Sequence, residues 1–208
     1  MRARRFRQKW TACLNGIIQS VQTLLSAMNT VPLALADVDH AFRHLEFAIK
    51  LMCYAEHDHI DRTKFDTDVT LLLERENVSF PASTFNTLDS VVLASQANVG
   101  VSFGVSAIVL DAAFEAAGVS RNPESRAPND LLRTLVYMVR SAFAHNPAMP
   151  VWEVRGPYLR TLELELESER ISVPLQQLHG TVFEYGHIGG LANWYRIRRA
   201  VERALNGT

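Results

Sequence analysis

Up to Asn146 the apolar residues recur at steps of three and four, and beyond Pro150 they alternate. The first period belongs to helices with one buried face and the second to half-buried strands. Leu14, Ile17, Ile18, Val21, Leu24, Leu25 and Met28 form one such face, and Pro32 marks the end of that helix or the start of the next. Val38, Ala41, Phe42, Leu45, Ala48, Ile49 and Met52 form a second face, which predicts a helix from about Ala36 to Glu56. His57 to Lys64 reads as a polar loop, and Asp66 to Glu74 fits a short helix or a strand equally. After Phe80-Pro81, Ser83 or Thr84 can cap a long helix that carries Leu88, Val91, Val92, Val99, Phe103 and Val109. It should run to Ala117, with Gly118 as its stop. Its stretch Leu93 to Ala113 is rich in Ala, Ser and Gly, which lets a neighbour approach closely, so a central or interface helix is expected. Gln96, Asn98, Asp111 and Glu115 interrupt it, and no unbroken apolar run reaches the roughly 20 residues of a membrane span. Arg121 to Asn129 is a loop, and Asn129 or Asp130 caps a helix with Leu131, Leu132, Leu135, Val136, Val139 and Phe143 inside. Asn146-Pro147 ends it, because a residue before proline is pushed out of the helical region.

Past Pro150, Val151 to Val154 look like a strand, and Gly156-Pro157 offers a turn. Leu162, Leu164 and Leu166 alternate with Glu163, Glu165 and Glu167, and Ile171 to Leu175 adds a short third piece. Gly189-Gly190 then precede a helix carrying Leu191, Trp194, Tyr195, Ile197, Val201 and Leu205. The expected fold is mainly α and forms a single domain over 1–208. Its parts are a helical core over 10–147, a small β-hairpin insertion over 150–176 and a C-terminal helix over 186–206.

Composition agrees with one globular domain: 208 residues, 48% apolar and 21% charged. The two cysteines, Cys13 and Cys53, lie in apolar helical patterns and read as small buried hydrophobes of a reducing compartment, with a cytoplasmic location expected. A disulfide framework and a Cys-rich zinc module are excluded. The net charge of −1 hides an asymmetry: Arg2, Arg4, Arg5, Arg7 and Lys9 precede the first acid, Asp37. Such an arm is a solvated terminus, a contact for phosphates or part of a targeting signal.

One segment stands apart, Arg140-Ser141-Ala142-Phe143-Ala144-His145-Asn146-Pro147. On an ideal helix Arg140 and His145 lie about 140° apart, so they share no face unless the unwinding before Pro147 redirects the imidazole. Arg140 offers a planar fork suited to a phosphate. This arrangement resembles the R-x4-6-H signature of the HEPN superfamily. The continuation Ala142 to Pro150 with Trp152, then Ile188-Gly189-Gly190 with Trp194, is similar to a group of uncharacterised HEPN-type bacterial proteins. The resemblance implies a HEPN-like helical bundle, with the hairpin and last helix as this group's elaboration. It further implies a metal-independent endoribonuclease of the toxin or phage-defence kind, without a cofactor, whose site is shared across a homodimer. Arg140 would then hold the scissile phosphate, and His145 would act as acid or base. Ser141 would occupy the family's polar position, and Asn146 would orient substrate or only cap the helix. The alternative is a non-catalytic HEPN module that binds RNA, a nucleotide or a partner protein such as a cognate antitoxin, with the small-residue helix as its dimer surface.

Other groupings are weaker. Asp37, His40 and His44 share a helix face, but Phe42 and Arg43 stand where a metalloprotease helix would carry its acid, so a polar flank is expected. His57, Asp58, His59 and Asp61 read as a solvated loop rather than a metal site. Arg121, Arg126 and Arg133 either extend an RNA-binding surface or lie in a solvated loop. Trp152, Trp194 and Tyr195 are placed for the core, with base stacking as the other reading.

Overall fold

The computed structural model describes residues 30–207. The predicted helix over Leu14–Met28, the basic arm and Cys13 lie outside the described residues.

Helix α1 covers residues 30–56. It takes in Pro32, which a helix tolerates in its first turn, so the described helix starts earlier than Ala36. Its apolar face is the predicted one, with Val38, Phe42, Leu45 and Ala48 buried. Cys53 is exposed, which corrects the expectation of a buried thiol. It sits one residue round from the Ala48, Met52 and Ala55 row that turns inward. A short helix α2, Arg62–Phe65, follows within the polar loop.

The ambiguous segment is a strand. β1, Val69–Leu72, pairs antiparallel with β2, Asn77–Phe80, a hairpin that the sequence reading missed. Leu71, Leu72 and Leu73 are all exposed, so no buried face imprints a period of two on this stretch. Two carboxylates close the hairpin's base instead. Asp68 accepts from the Ala82 N–H at 2.7 Å and Asp66 from the Phe85 N–H at 3.0 Å.

Helix α3, Leu88–Ala116, is the central element. Thr87 caps it, its hydroxyl accepting from the Ser90 N–H at 3.2 Å. Ser83 and Thr84 do not: Ser83 is left-handed at φ 75°, and the Thr84 hydroxyl donates to the Pro81 carbonyl. Gly118 is left-handed just past the end, as a helix stop should be. α3 is 29 residues long, and an 18-residue stretch of it reaches a mean hydropathy of 1.6, apolar enough for a membrane span, but 56% of that stretch is buried against its own chain.

Helix α4, Pro128–Ala144, begins two or three residues earlier than the predicted caps Asn129 or Asp130 imply. Ala127 is its N-cap and Pro128 its first residue, a position where the missing N–H costs nothing. Asp130 therefore lies inside the first turn, where its charge complements the helix dipole. α4 packs on α3 at Gly104, where an added Cβ would meet the Phe143 ring at 2.6 Å.

Val151 to Val154 do not form a strand. Val151 makes one bridge to Val182, and Trp152 exchanges hydrogen bonds with Thr181 and Gly180. A single-turn 3-10 helix, Gly156–Tyr158, follows. The predicted hairpin is present as β3, Thr161–Leu166, paired antiparallel with β4, Glu169–Pro174. In β3 the three leucines are buried and the glutamates exposed, as the alternation requires. A one-turn helix α5, Leu175–Leu178, leads to the Gly189-Gly190 corner, where both glycines have positive φ, and then to α6, Leu191–Asn206. One apolar core joins all of these layers: Phe42 from α1, Phe103 and Leu110 from α3, Leu135 from α4, Leu162 and Val173 from the hairpin, and Trp194 from α6.

Candidate functional site

The site is built at the C-terminal end of α4 from the inside outward. Asp111 of α3 is buried, and an isolated carboxylate there would be untenable. Arg133, 1% exposed, meets it with Nη1. The second terminal nitrogen of Arg133 lies 3.6 Å from Glu115, and its guanidinium sits 5.1 Å above the Phe114 ring. Burial pulls the Arg133 guanidinium below its ordinary pKa, which makes the Asp111 partner essential. Arg133 is therefore an interior cation and no part of an RNA-contacting surface, a correction to the sequence expectation. Its place between Leu132 and Thr134, both buried, brings it into the α3–α4 contact.

Asp111 also anchors Arg140, whose Nε lies 3.9 Å away. That spacing is a charge contact rather than a hydrogen bond. The Arg140 side chain is 41% exposed, and no hydrogen bond takes up its terminal nitrogens among the described residues. The Nε edge of the guanidinium thus faces the buried carboxylate, while both terminal nitrogens remain for an external anion.

His145 is the C-cap of α4, still helical at φ −96° and ψ −37°. The predicted unwinding before Pro147 begins after it, not at it. Its side chain is 74% exposed, with Nε2 lying 3.8 Å from the Glu153 carboxylate. Arg140 and His145 thus have separate carboxylate partners, and no hydrogen bond joins them among the described residues. Ser141 is half-buried on the same helix. Asn146 is engaged in a turn: its Oδ1 accepts from the Ala148 N–H at 3.1 Å and the Met149 N–H at 3.2 Å. It neither caps the helix with its side chain nor leaves this oxygen for substrate. The chain then returns, and the Val151 N–H satisfies the Ala142 carbonyl at the helix end.

Sequence reasoning missed Asp111 and Glu153 as site residues. Asp111 carried a signal, because an acid inside a run of Ala, Ser and Val needs a buried cation. Glu153 carried none, since its approach to His145 depends on how the chain folds back after Pro150.

The other groupings resolve as structure. Arg121 stacks 4.2 Å over the Tyr137 ring, and Arg126 is exposed. Arg126 lines a groove of about 840 Å³ with Asn129, Glu163 and Arg203, at the far end of α4 from Arg140 and His145. Trp152 and Trp194 are fully buried, their indole N–H groups donating to His187 and to the Ser106 hydroxyl. Tyr195 is half-buried, edge-on to Phe42. No three His, Cys, Asp or Glu side chains gather as a candidate metal site among the described residues. Asp58 and Asp61 instead pair with Arg62 and Lys64.

The chain matches no family model, no curated protein and no solved structure.

Proposed function

We propose that this protein is a HEPN-type endoribonuclease that works as a homodimer in the cytoplasm, without a metal, in toxin or phage-defence chemistry. The observation that carries the proposal is Arg140, fixed from behind by buried Asp111 and open in front, on the last turn of a helix that ends in an exposed histidine. In this reading the Arg140 fork holds the non-bridging oxygens of an RNA phosphate. The 2′-hydroxyl attacks phosphorus as a base takes its proton, the bond to the 5′-oxygen breaks, and an acid protonates that oxygen. The products are a 2′,3′-cyclic phosphate and a 5′-hydroxyl. His145 supplies one of these proton transfers, with the Glu153 carboxylate 3.8 Å away to orient the ring. A second copy of the motif across a two-fold axis supplies the other.

A cleavage assay in EDTA tests this, with parent and His145→Ala on matched preparations and analysis of the product ends. Cleavage to cyclic phosphate that falls by about 100-fold or more in the variant is expected, the usual size of a lost acid–base group. A pure dimer that leaves RNA intact, or a variant as active as the parent, would overturn it. The separate partners of Arg140 and His145 favour a second reading, a HEPN module that binds RNA, a nucleotide or a partner protein without cleavage. Binding that survives His145→Ala, with no turnover in either protein, would select that reading.

A further inference from the structure

Helix α3 buries one side against α4 and the core, yet the opposite side keeps an apolar row in the open. Val101, Val105 and Ile108 are 39%, 38% and 44% exposed, and Ala97 and Ala112 extend the row at both ends. Their steps of four, four, three and four are those of a helix-packing seam. Beside the row runs a groove of about 400 Å³ between α1 and α3, walled by Val105, Val109 and Ala112 on one side and by Ala34, His40 and His44 on the other. A contiguous apolar strip of this kind usually meets a partner surface.

The chain itself carries a matching piece. Leu14, Ile18, Val21 and Leu25 step by four, three and four, with Ile17 and Leu24 on the same side and Asn15, Gln19 and Gln22 opposite. No charge interrupts the sequence between Lys9 and Asp37. The attachment point also fits. The Thr30 hydroxyl donates to the Ala116 carbonyl, while Gln96 donates to Glu56 at the other end of α1. α1 therefore runs antiparallel to α3, and the preceding chain enters beside the Ala112 end of the exposed row. A reversal across Ser26–Asn29, a length common in helical hairpins, would lay Leu14–Leu25 alongside Val101–Ala112. Both spans cover eleven helical steps, about 16 Å.

We propose that the segment Leu14–Leu25 packs in cis, as a helix, on the exposed Val101–Val105–Ile108 row of α3, completing the bundle from its own chain. This assignment stands whichever chemistry Arg140 and His145 perform. It also reserves the row against a second copy, so a homodimer would have to use another face.

Thiol labelling of the full chain tests it. The background is Cys13→Ser with Cys53→Ser, the probe is Val105→Cys, and Ile108→Cys serves as an independent second probe in case either destabilises the fold. Labelling is followed on natively folded protein over about a hundredfold range of concentration. The expected result is slow labelling at every concentration, which accelerates at least about tenfold when Ile17→Asp and Val21→Asp are added. Rapid labelling without those aspartates would overturn the proposal. Protection that disappears on dilution would assign the row to a second copy, and protection that survives both aspartates would assign it to something other than this segment. Either result also overturns it.

Discussion

Asp111 has one carboxylate and two arginines to hold, one buried and one half open. Removing one member of a buried ion pair strands the other without water or partner, which costs far more than the pair contributes over an apolar replacement. Asp111→Ala is therefore expected to destabilise the fold by about 3–5 kcal/mol, read as a shift of the urea midpoint at unchanged slope. A loss under 1 kcal/mol would mean that Arg133 finds Glu115 or water instead. His145→Ala provides the contrast. Its side chain is mostly exposed, so stability should stay within about 0.5 kcal/mol of the parent, leaving any lost activity to chemistry. At this scale the sequence exposes residue type but not company. Arg140 and His145 are legible because they stand five residues apart at a helix end. Arg133 reads as one more surface arginine until Asp111 is seen facing it from another helix. The turn that engages Asn146 is written in Asn-Pro itself, yet nothing local says that its oxygen would bond forward to residues 148 and 149.

Between elements, the α3–α4 contact is set by Gly104, which lets the Phe143 ring lie where a side chain would otherwise be. The ring is buried on all sides, against Phe103 at 5.4 Å and Phe183 at 5.0 Å, so it has nowhere to retreat. Gly104→Ala should gain helix propensity of about 1 kcal/mol yet lose more to overpacking. A net loss of about 1–2 kcal/mol in chemical unfolding is expected, and Phe143→Leu added to it should recover part of that loss. A stabilised Gly104→Ala protein would show that the two helices can slide apart without penalty. The long helices and the β3–β4 hairpin were readable because each buries one periodic face. The β1–β2 hairpin was not, since both of its strands are exposed and its closure depends on Asp66 and Asp68 reaching backbone N–H groups across the gap. The caps slipped by a few residues for a related reason. Thr87, Thr84 and Ser83 offer nearly the same chemistry, and the backbone path alone selects among them.

Viewed as a whole molecule, the residues beyond Pro150 supply nearly half of the described core and are no appendage. Trp152, Leu162, Phe183, Ile188 and Trp194 stand in the same core as Phe42 and Phe103, and Trp194 bonds to Ser106 in the middle of α3. A chain ended at Pro150 should consequently lose its cooperative thermal transition, and a sharp melt from that fragment would show that the helical part folds alone. The sequence reading divided core from insertion at this point because the period changes there, although a change of period marks a change of element and not a boundary of packing. The last layer is also tied down by charge. Glu167, at the left-handed turn between β3 and β4, receives the Arg199 fork at 2.7 and 3.1 Å, with Arg196 and Arg203 within 4 Å. The Arg199 hydrogen bonds, aided by the charges of Arg199, Arg203 and Arg196, hold its carboxyl below the ordinary glutamate value of 4.5. The folded state therefore takes up this proton less readily than the unfolded chain. The contribution is fully present above pH 4.5 and is lost as the pH falls through the lowered folded value. Glu167→Gln removes the titration, so the variant should start less stable at neutral pH and lose less on acidification. Unfolding midpoints measured from neutral to strongly acid solution should converge for parent and variant. Parallel curves would mean that the three arginines hold the hairpin to α6 without any help from the carboxylate charge.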